Sequence, residues 1–431
     1  MATSPVYPVP HLTTAMSGPL QDVEGHIIDQ LAKIESWFRC QWRKTAAPFY
    51  ASVDLRNAGF KIAPVDTNLF PAGFNNLNPA FEPLCIQAIQ LAVEHLSNAV
   101  DRIVIVPENH TRNKFYMENI ATLQDLIERA GFEVRLGSLI PDLDTTMKVE
   151  LASGRSVHLQ PLRRQGKRVV VDGFDPDLVI LNNDLAAGRP EILEDIEQLI
   201  TPLPQLGWSS RLKSVHFGFY RQVAREFAEL LDIDPWLIDP MFRNCGEIDF
   251  MKGEGTSCLS SNVDTLLAEI QKKYNEYAVK QPPFVILKAD AGTYGMGVMT
   301  VHSVKDVMGL NRKQRTRMSA SKAGQKVTKV IIQEGVYTDE TWGNKGTVAE
   351  PVVYMIDHSV VGGFYRVHDK RASNENLNAP GMRFERLAFD DCCISPDKHQ
   401  SPDAHPNRFY TYGVIARLAL IAAAREKASL V

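Results

Sequence analysis

The stretch Phe284–Val301, FVILKADAGTYGMGVMTV, constrains this chain more than any other. An apolar, β-branched run carries Lys288 and gives way to a loop with Gly292, Gly295 and Gly297 among small residues; a second apolar run resumes at Val298. Short runs of this composition favour strands. Glycines let backbone N–H groups approach an anion with no Cβ in the way. Strand, glycine loop and strand, with a lysine on the first strand, therefore read as a lid over a nucleotide triphosphate. A GKS or GKT phosphate loop would open a helix instead, and neither that run nor a dinucleotide fingerprint occurs. The same residues also fit a glycine-rich hairpin whose lysine faces solvent.

At 431 residues the chain is too long for one growing core, so two or three domains are expected. Apolar residues at 44% and charged residues at 23% match a soluble globular protein. A formal charge of −4 supplies no general basic field, so nucleic acid is not expected as a partner. The six cysteines form no CxxC pair, which points to a reducing compartment and away from a structural zinc. Residues 1–20 lack the basic start and apolar core of a signal peptide. Val414–Ala424, interrupted by Arg417, is too short to span a bilayer. The expectation is a cytoplasmic protein without a membrane partner.

Periodicity predicts helices over 21–50, 82–99, 114–130, 190–199, 215–231, 262–279 and 407–427. Strands are predicted at 102–106, 132–136, 177–181, 284–289, 297–302, 328–333, 348–357 and 360–367. The segment 140–175 is an excursion with a basic hairpin around Arg163–Arg168, and the basic run Asn311–Lys329 reads as a solvated loop. These patterns divide the chain into an N-terminal extension (1–20), an α/β unit (21–200), a linker and first lobe (201–283) and the glycine-loop and C-terminal lobes (284–431).

The order of signals resembles the ATP-grasp superfamily: the strand with Lys288, the glycine loop, a strand, VIIQEGV at Val330–Val336, then strand pairs ending in YRVHDKRASNENLNAPG at Tyr365–Gly381. From about residue 20 to 427 the chain is similar to the proteobacterial glutamate–cysteine ligases with an ATP-grasp type core, most distinctively in Lys61–Leu77, Lys288–Gly297 and Asn374–Gly381. The layout is also similar to that of bacterial glutathione synthetases. The resemblance implies an α/β N-terminal domain plus an α+β ATP-grasp type fold, with ATP and Mg²⁺ as cofactors. It implies small amino-acid substrates, leaves room for a homo-oligomer, and makes the activity an ATP-dependent ligation of glutamate to cysteine through an acyl phosphate. A ligase acting on another amino-acid pair and a non-catalytic nucleotide binder are the alternatives.

The same resemblance distributes roles. Lys288 pairs with ATP phosphates and Arg366 neutralises the transferring phosphoryl group; these two are the catalytic candidates. Gly292, Thr293, Gly295 and Gly297 form the phosphate lid. Gln333, Glu334 and Val336 lie at the adenine hinge, and Lys213 is a further ATP lysine for which Arg211 competes. The family's E-x-N metal motif is absent in clean form. Glu350, Glu375, Asn376 and Asn378 are the nearest oxygen donors for Mg²⁺. From residue chemistry, Lys61, Asp66, Asn68, Asn75 and Asn76 make an amino-acid pocket, which Asn182, Asn183 and Asp184 at another strand end can close. Asn-rich turns satisfying their own backbones explain these runs as well. His358 and His368 bracket a strand without forming a ligand cluster such as HxxxH.

Overall fold

The computed structural model describes residues 22–292, 297–319, 326–343, 345–386 and 408–430. Three sheets organise them. The largest is antiparallel, in the order Arg383–Arg386, Ser359–Val367, Thr347–Ile356, Tyr50–Asn57, Ile62–Asn68, with the short Thr341–Trp342 also paired to Thr347–Ile356. The strand Tyr50–Asn57, YASVDLRN, alternates strictly, and alternate side chains of a strand face opposite ways. Ala51, Val53 and Leu55 enter one apolar core, whereas Tyr50 joins a second on the other face. Thr347–Ile356 repeats the split, with Val353 and Met355 in the first core and Val352, Tyr354 and Ile356 in the second. The face that carries Tyr50 therefore also presents Ser52, Asp54 and Arg56.

The second sheet runs Leu199–Thr201, Leu178–Asn182, Arg102–Pro107, Glu133–Ser138, Ser156–Pro161, Met147–Glu150, with only the last strand antiparallel. Its central run RIVIVP is apolar on both faces because both are covered. Ile103 and Ile105 pack with the helices Glu82–Leu96 and Lys114–Arg129, and Val104 and Val106 pack with Lys213–Leu231 and Arg408–Ala428. The third sheet is antiparallel, in the order Phe242–Cys245, Val330–Glu334, Val285–Ala289, Met299–Val301. The helix Thr256–Glu276 covers it through Leu259, Val263, Leu266 and Ile270, spaced as one helical stripe.

This is a mixed α/β architecture, as the sequence leads one to expect. Strands from 21–200 and 284–431 share the largest sheet, and strands from 201–283 and 284–431 share the third. Three local expectations change. Residues 190–199 hold only the single turn Glu191–Leu193 before the strand Leu199–Thr201, and Asp195 takes a left-handed conformation (φ 50°) that no helix continues through. Within the basic run, Arg312–Ser319 is helical and buries Met318. The excursion adds the strands Met147–Glu150 and Ser156–Pro161 to the parallel sheet, beside the hairpin Arg163–Gln165 and Arg168–Val170. No helix among the described residues is long and apolar enough to cross a membrane.

Gly335 ends the strand Val330–Glu334 against Phe284, with its N–H donating to the Phe284 carbonyl at 2.8 Å. A Cβ on Gly335 would stand 2.1 Å from the Phe284 ring, which is fully buried and meets Tyr337 edge-on. Gly335→Ala is expected to destabilise the fold by about 1–3 kcal/mol through this overpacking. Thermal melting checks it; an unshifted midpoint would mean that the ring moves aside freely.

Candidate active site

The cleft lies where the polar face of the largest sheet meets the third sheet. Cross-strand register sets its first feature. Glu350 and Arg366 are directly opposed on neighbouring strands, and Asp54 and Arg56 alternate on the next. The result is a buried chain of opposite charges. Arg56 Nε donates to Glu350 Oε2 at 3.0 Å, and Arg366 Nη1 donates to Glu350 Oε1 at 2.5 Å. Arg366 also grips Asp54 at 2.8 and 3.3 Å. Burial raises the Asp54 carboxyl above its usual range despite Arg366. At Glu350 burial acts the same way, but Arg56 and Arg366 together outweigh it and hold the carboxyl low. Arg366 Nε is buried without a partner among the described residues.

Across the cleft, Lys288 Nζ donates to the Val65 carbonyl and to Gln333 Oε1, both at 2.7 Å. Burial pushes its amine down to about 8, against the pull of Asp66. Lys213 Nζ reaches the Gly292 carbonyl at 2.9 Å and stands 3.5 Å over the Trp208 ring. Asp290 starts the helix of Lys213 by accepting from Ser214 N at 2.8 Å, which fixes where that lysine emerges. Burial drives the Lys213 amine down as well. Asp66 experiences burial too, but Lys213, Lys288 and Arg211 prevail and lower its carboxyl.

Two chambers share this wall. The first is lined by Lys213, Lys288, Gly292, Gln333, Glu334, Val336, Glu350, Asn376 and Asn378. The second is lined by Ser52, Asn68, Asp184, Trp208, Tyr354 and Phe384 among others. Asp54, Asp66, Arg366 and Asn378 belong to both.

A family model described as glutamate-cysteine ligase, GshA, matches residues 24–427. The chain belongs to the glutamate-cysteine ligase family. It is 56% identical, with a TM-score of 0.89, to a crystal structure from Methylobacillus flagellatus KT assigned as a gamma-glutamylcysteine synthetase, over 98% of this chain and 99% of that one. A glutathione synthetase-like effector from Globodera pallida (10% identity, TM-score 0.36, 84% of this chain and 82% of that one) is far more distant. So is D-alanyl-alanine synthetase A from Vibrio cholerae O1 biovar eltor str. N16961 (10%, 0.34, 75% and 82%), and neither carries any weight at such scores. No curated protein matches the chain.

In this glutamate-cysteine ligase family member the residues picked from sequence separate clearly. Lys213, Lys288, Gly292, Gln333, Glu334, Val336, Glu350, Asp66, Arg366, Asn376 and Asn378 line the first chamber, and Asn68 lines the second. Gly297 closes the loop in a left-handed conformation (φ 69°), while Thr293 and Gly295 lie outside the described residues. Between the competing cations, Arg211 is committed: it forks onto Glu426 at 2.9 and 2.8 Å and bonds the Thr67 carbonyl, leaving Lys213 at the cleft.

Several candidates sit elsewhere. Lys61 is fully buried away from both chambers, bonded to Glu334 at 2.8 Å and to the Asp239 carbonyl at 2.9 Å, because a buried ammonium must be paired. Glu334 spends its carboxylate on Lys61, Trp236 Nε1 and Met241 N, and its N–H on the Met241 carbonyl, so its side chain is not available to a ligand. Asn75 and Asn76 form the turn Phe74–Asn76 and line neither chamber. Asn182 is a buried cross-link between Asn119, Pro71 and Tyr50, and Asn183 closes a local turn onto Leu185 N. Of that trio only Asp184 reaches a chamber. Glu375 pairs with Arg371 and accepts from Ala372 N, outside the cleft. Sequence reading missed Asp54 and Arg56, although the alternation Tyr-Ser-Asp-Arg against Ala-Val-Leu in YASVDLRN was the signal.

Proposed function

We propose that this chain joins the γ-carboxylate of glutamate to the amine of cysteine at the expense of ATP, with the nucleotide in the first chamber and the amino acids in the second. The observation that carries the arrangement is the shared wall, where Arg366 faces both chambers. Lys213 and Lys288 neutralise phosphate charge. Arg366 stabilises the charge that develops as the phosphoryl group passes to the carboxylate, and again when the amine expels phosphate from the acyl phosphate. Asn68 and Asp184 orient the amino acid, the carboxylate meeting an α-ammonium. Gln333 fits a nucleotide base, since its Nε2 is a buried donor with no partner among the described residues.

Glu350, Asn376 and Asn378 offer the oxygen donors that suit Mg²⁺ at the same chamber. When bound, Mg²⁺ supplies charge neutralisation at the phosphates. Asn378→Ala, and more strongly Glu350→Gln, are expected to raise the Mg²⁺ needed for half-maximal activity by about tenfold or more. Magnesium titrations that overlay the parent would move the ion to other residues.

Phosphate release is the decisive assay for the reaction itself. With ATP and Mg²⁺, release is expected with glutamate plus cysteine and not with either alone. Release only with a dipeptide plus glycine would assign the sister reaction, and none with any pair would leave a nucleotide-binding scaffold.

A further inference from the structure

Three metal-ligating side chains that line neither chamber converge on a separate cavity. His95 lies in the last turn of the helix Glu82–Leu96, while Asp357 and His358 form the tight turn between the strands Thr347–Ile356 and Ser359–Val367. Asp357 Oδ2 stands 3.1 Å from His95 Nδ1 and 2.5 Å from His358 Nδ1. The ligand atoms of all three lie within 4.8 Å of one another. Two ligands on one tetrahedral zinc stand about 3.4 Å apart, so small side-chain rotations suffice to close on an ion.

The arrangement is held from behind. Asp357 adopts a left-handed conformation (φ 48°), and its N–H donates to the Phe49 carbonyl at 2.8 Å, which aims the carboxylate at the two imidazoles. That residue is only 7% exposed, while the histidine side chains are 57% and 41% exposed and open onto a cavity of about 600 Å³. An approaching ion thus meets a fixed carboxylate and two adjustable imidazoles.

We propose that His95, Asp357 and His358 bind a zinc-class transition-metal dication, separately from the Mg²⁺ of the nucleotide cleft. Two imidazoles and one carboxylate suit zinc, copper or nickel, whereas Mg²⁺ demands a shell of oxygens. Three protein ligands leave an open coordination position toward the cavity. Arg39, Arg43 and Lys427 line that cavity, so water or a small anion, not a second cation, completes the shell. The bound ion would tie the hairpin turn to the end of the helix Glu82–Leu96.

The test uses the full chain, stripped by chelator and titrated calorimetrically with zinc chloride alone. One Zn²⁺ per chain is expected, undisturbed by a large excess of Mg²⁺. His95→Gln and His358→Gln should each weaken binding about tenfold or more, and both should melt like the parent without metal because these side chains are partly exposed. Cobalt substitution adds a spectroscopic readout: a visible absorption band in the parent that both variants lose. Absence of stoichiometric zinc in the parent overturns the proposal. So does binding that survives in both histidine variants, or that disappears instead with Cys245→Ser and Cys258→Ser, whose sulfurs lie 3.4 Å apart in the third sheet and its covering helix.

Discussion

Arg366→Lys is expected to lower kcat by a factor of about 10²–10³ while leaving the fold close to intact. Arg366 holds Asp54 through two nitrogens and Glu350 through one; Arg366 and Glu350 are buried and Asp54 is half-buried. A lysine keeps the charge but has no planar fork, so it cannot hold both carboxylates and meet a phosphoryl group together. Arg366→Ala is the less informative change. It leaves Asp54 without its cation and Glu350 with Arg56 alone, a loss on the order of 3–5 kcal/mol that would unfold a marginal protein. Steady-state phosphate release read beside a thermal melt separates the two effects. Parent-like turnover in Arg366→Lys would remove this residue from the reaction.

Lys288→Ala should raise the KM for ATP and cut kcat/KM by about 10²-fold, the size of a lost charge-assisted contact of a few kcal/mol. Its amine already has two carbonyl-type acceptors, from Val65 and Gln333, so the unliganded protein keeps it aimed across the cleft. The lowered ionisation, to about 8, adds a second expectation. Only the protonated amine attracts phosphate. ATP affinity should therefore be full at pH 7 and fall about tenfold by pH 9, as the free enzyme loses this proton. The Lys288→Ala variant should lack that decline. A parent whose KM for ATP stays flat from pH 7 to 9 would contradict the assignment.

Much of the first chamber was legible because its parts are local. A lysine in an apolar strand, glycines after it and amides in a turn-rich run each announce themselves within a few residues. Arg366 was legible for the same reason, at the end of a strand with two glycines. The buried charge chain was not, because each member looks ordinary alone and the register that joins Arg56 to Glu350 spans most of the chain. The same distance misled the reading of Lys61. Its charge in a polar run suggested a ligand, yet its partner Glu334 comes from another sheet. The amides failed differently. Asn75, Asn76 and Asn183 shape turns, and Asn182 bridges elements, uses of an amide that composition cannot tell from substrate binding.

The pairing of Tyr50–Asn57 with Thr347–Ile356 also governs how the molecule is made. On a ribosome adding about 5–20 residues per second, the early strand waits some 15–60 s for its partner. Contacts this distant slow folding, and until they form the nascent chain carries an open strand edge. Asp54 and Arg56 occupy that edge, and charges on a waiting strand discourage it from pairing with a neighbouring chain. A fragment ending before Thr347 keeps Lys213 and Lys288 but lacks the two strands that carry Glu350 and Arg366. Premature termination before Thr347 is therefore expected to leave a chain without ligase activity.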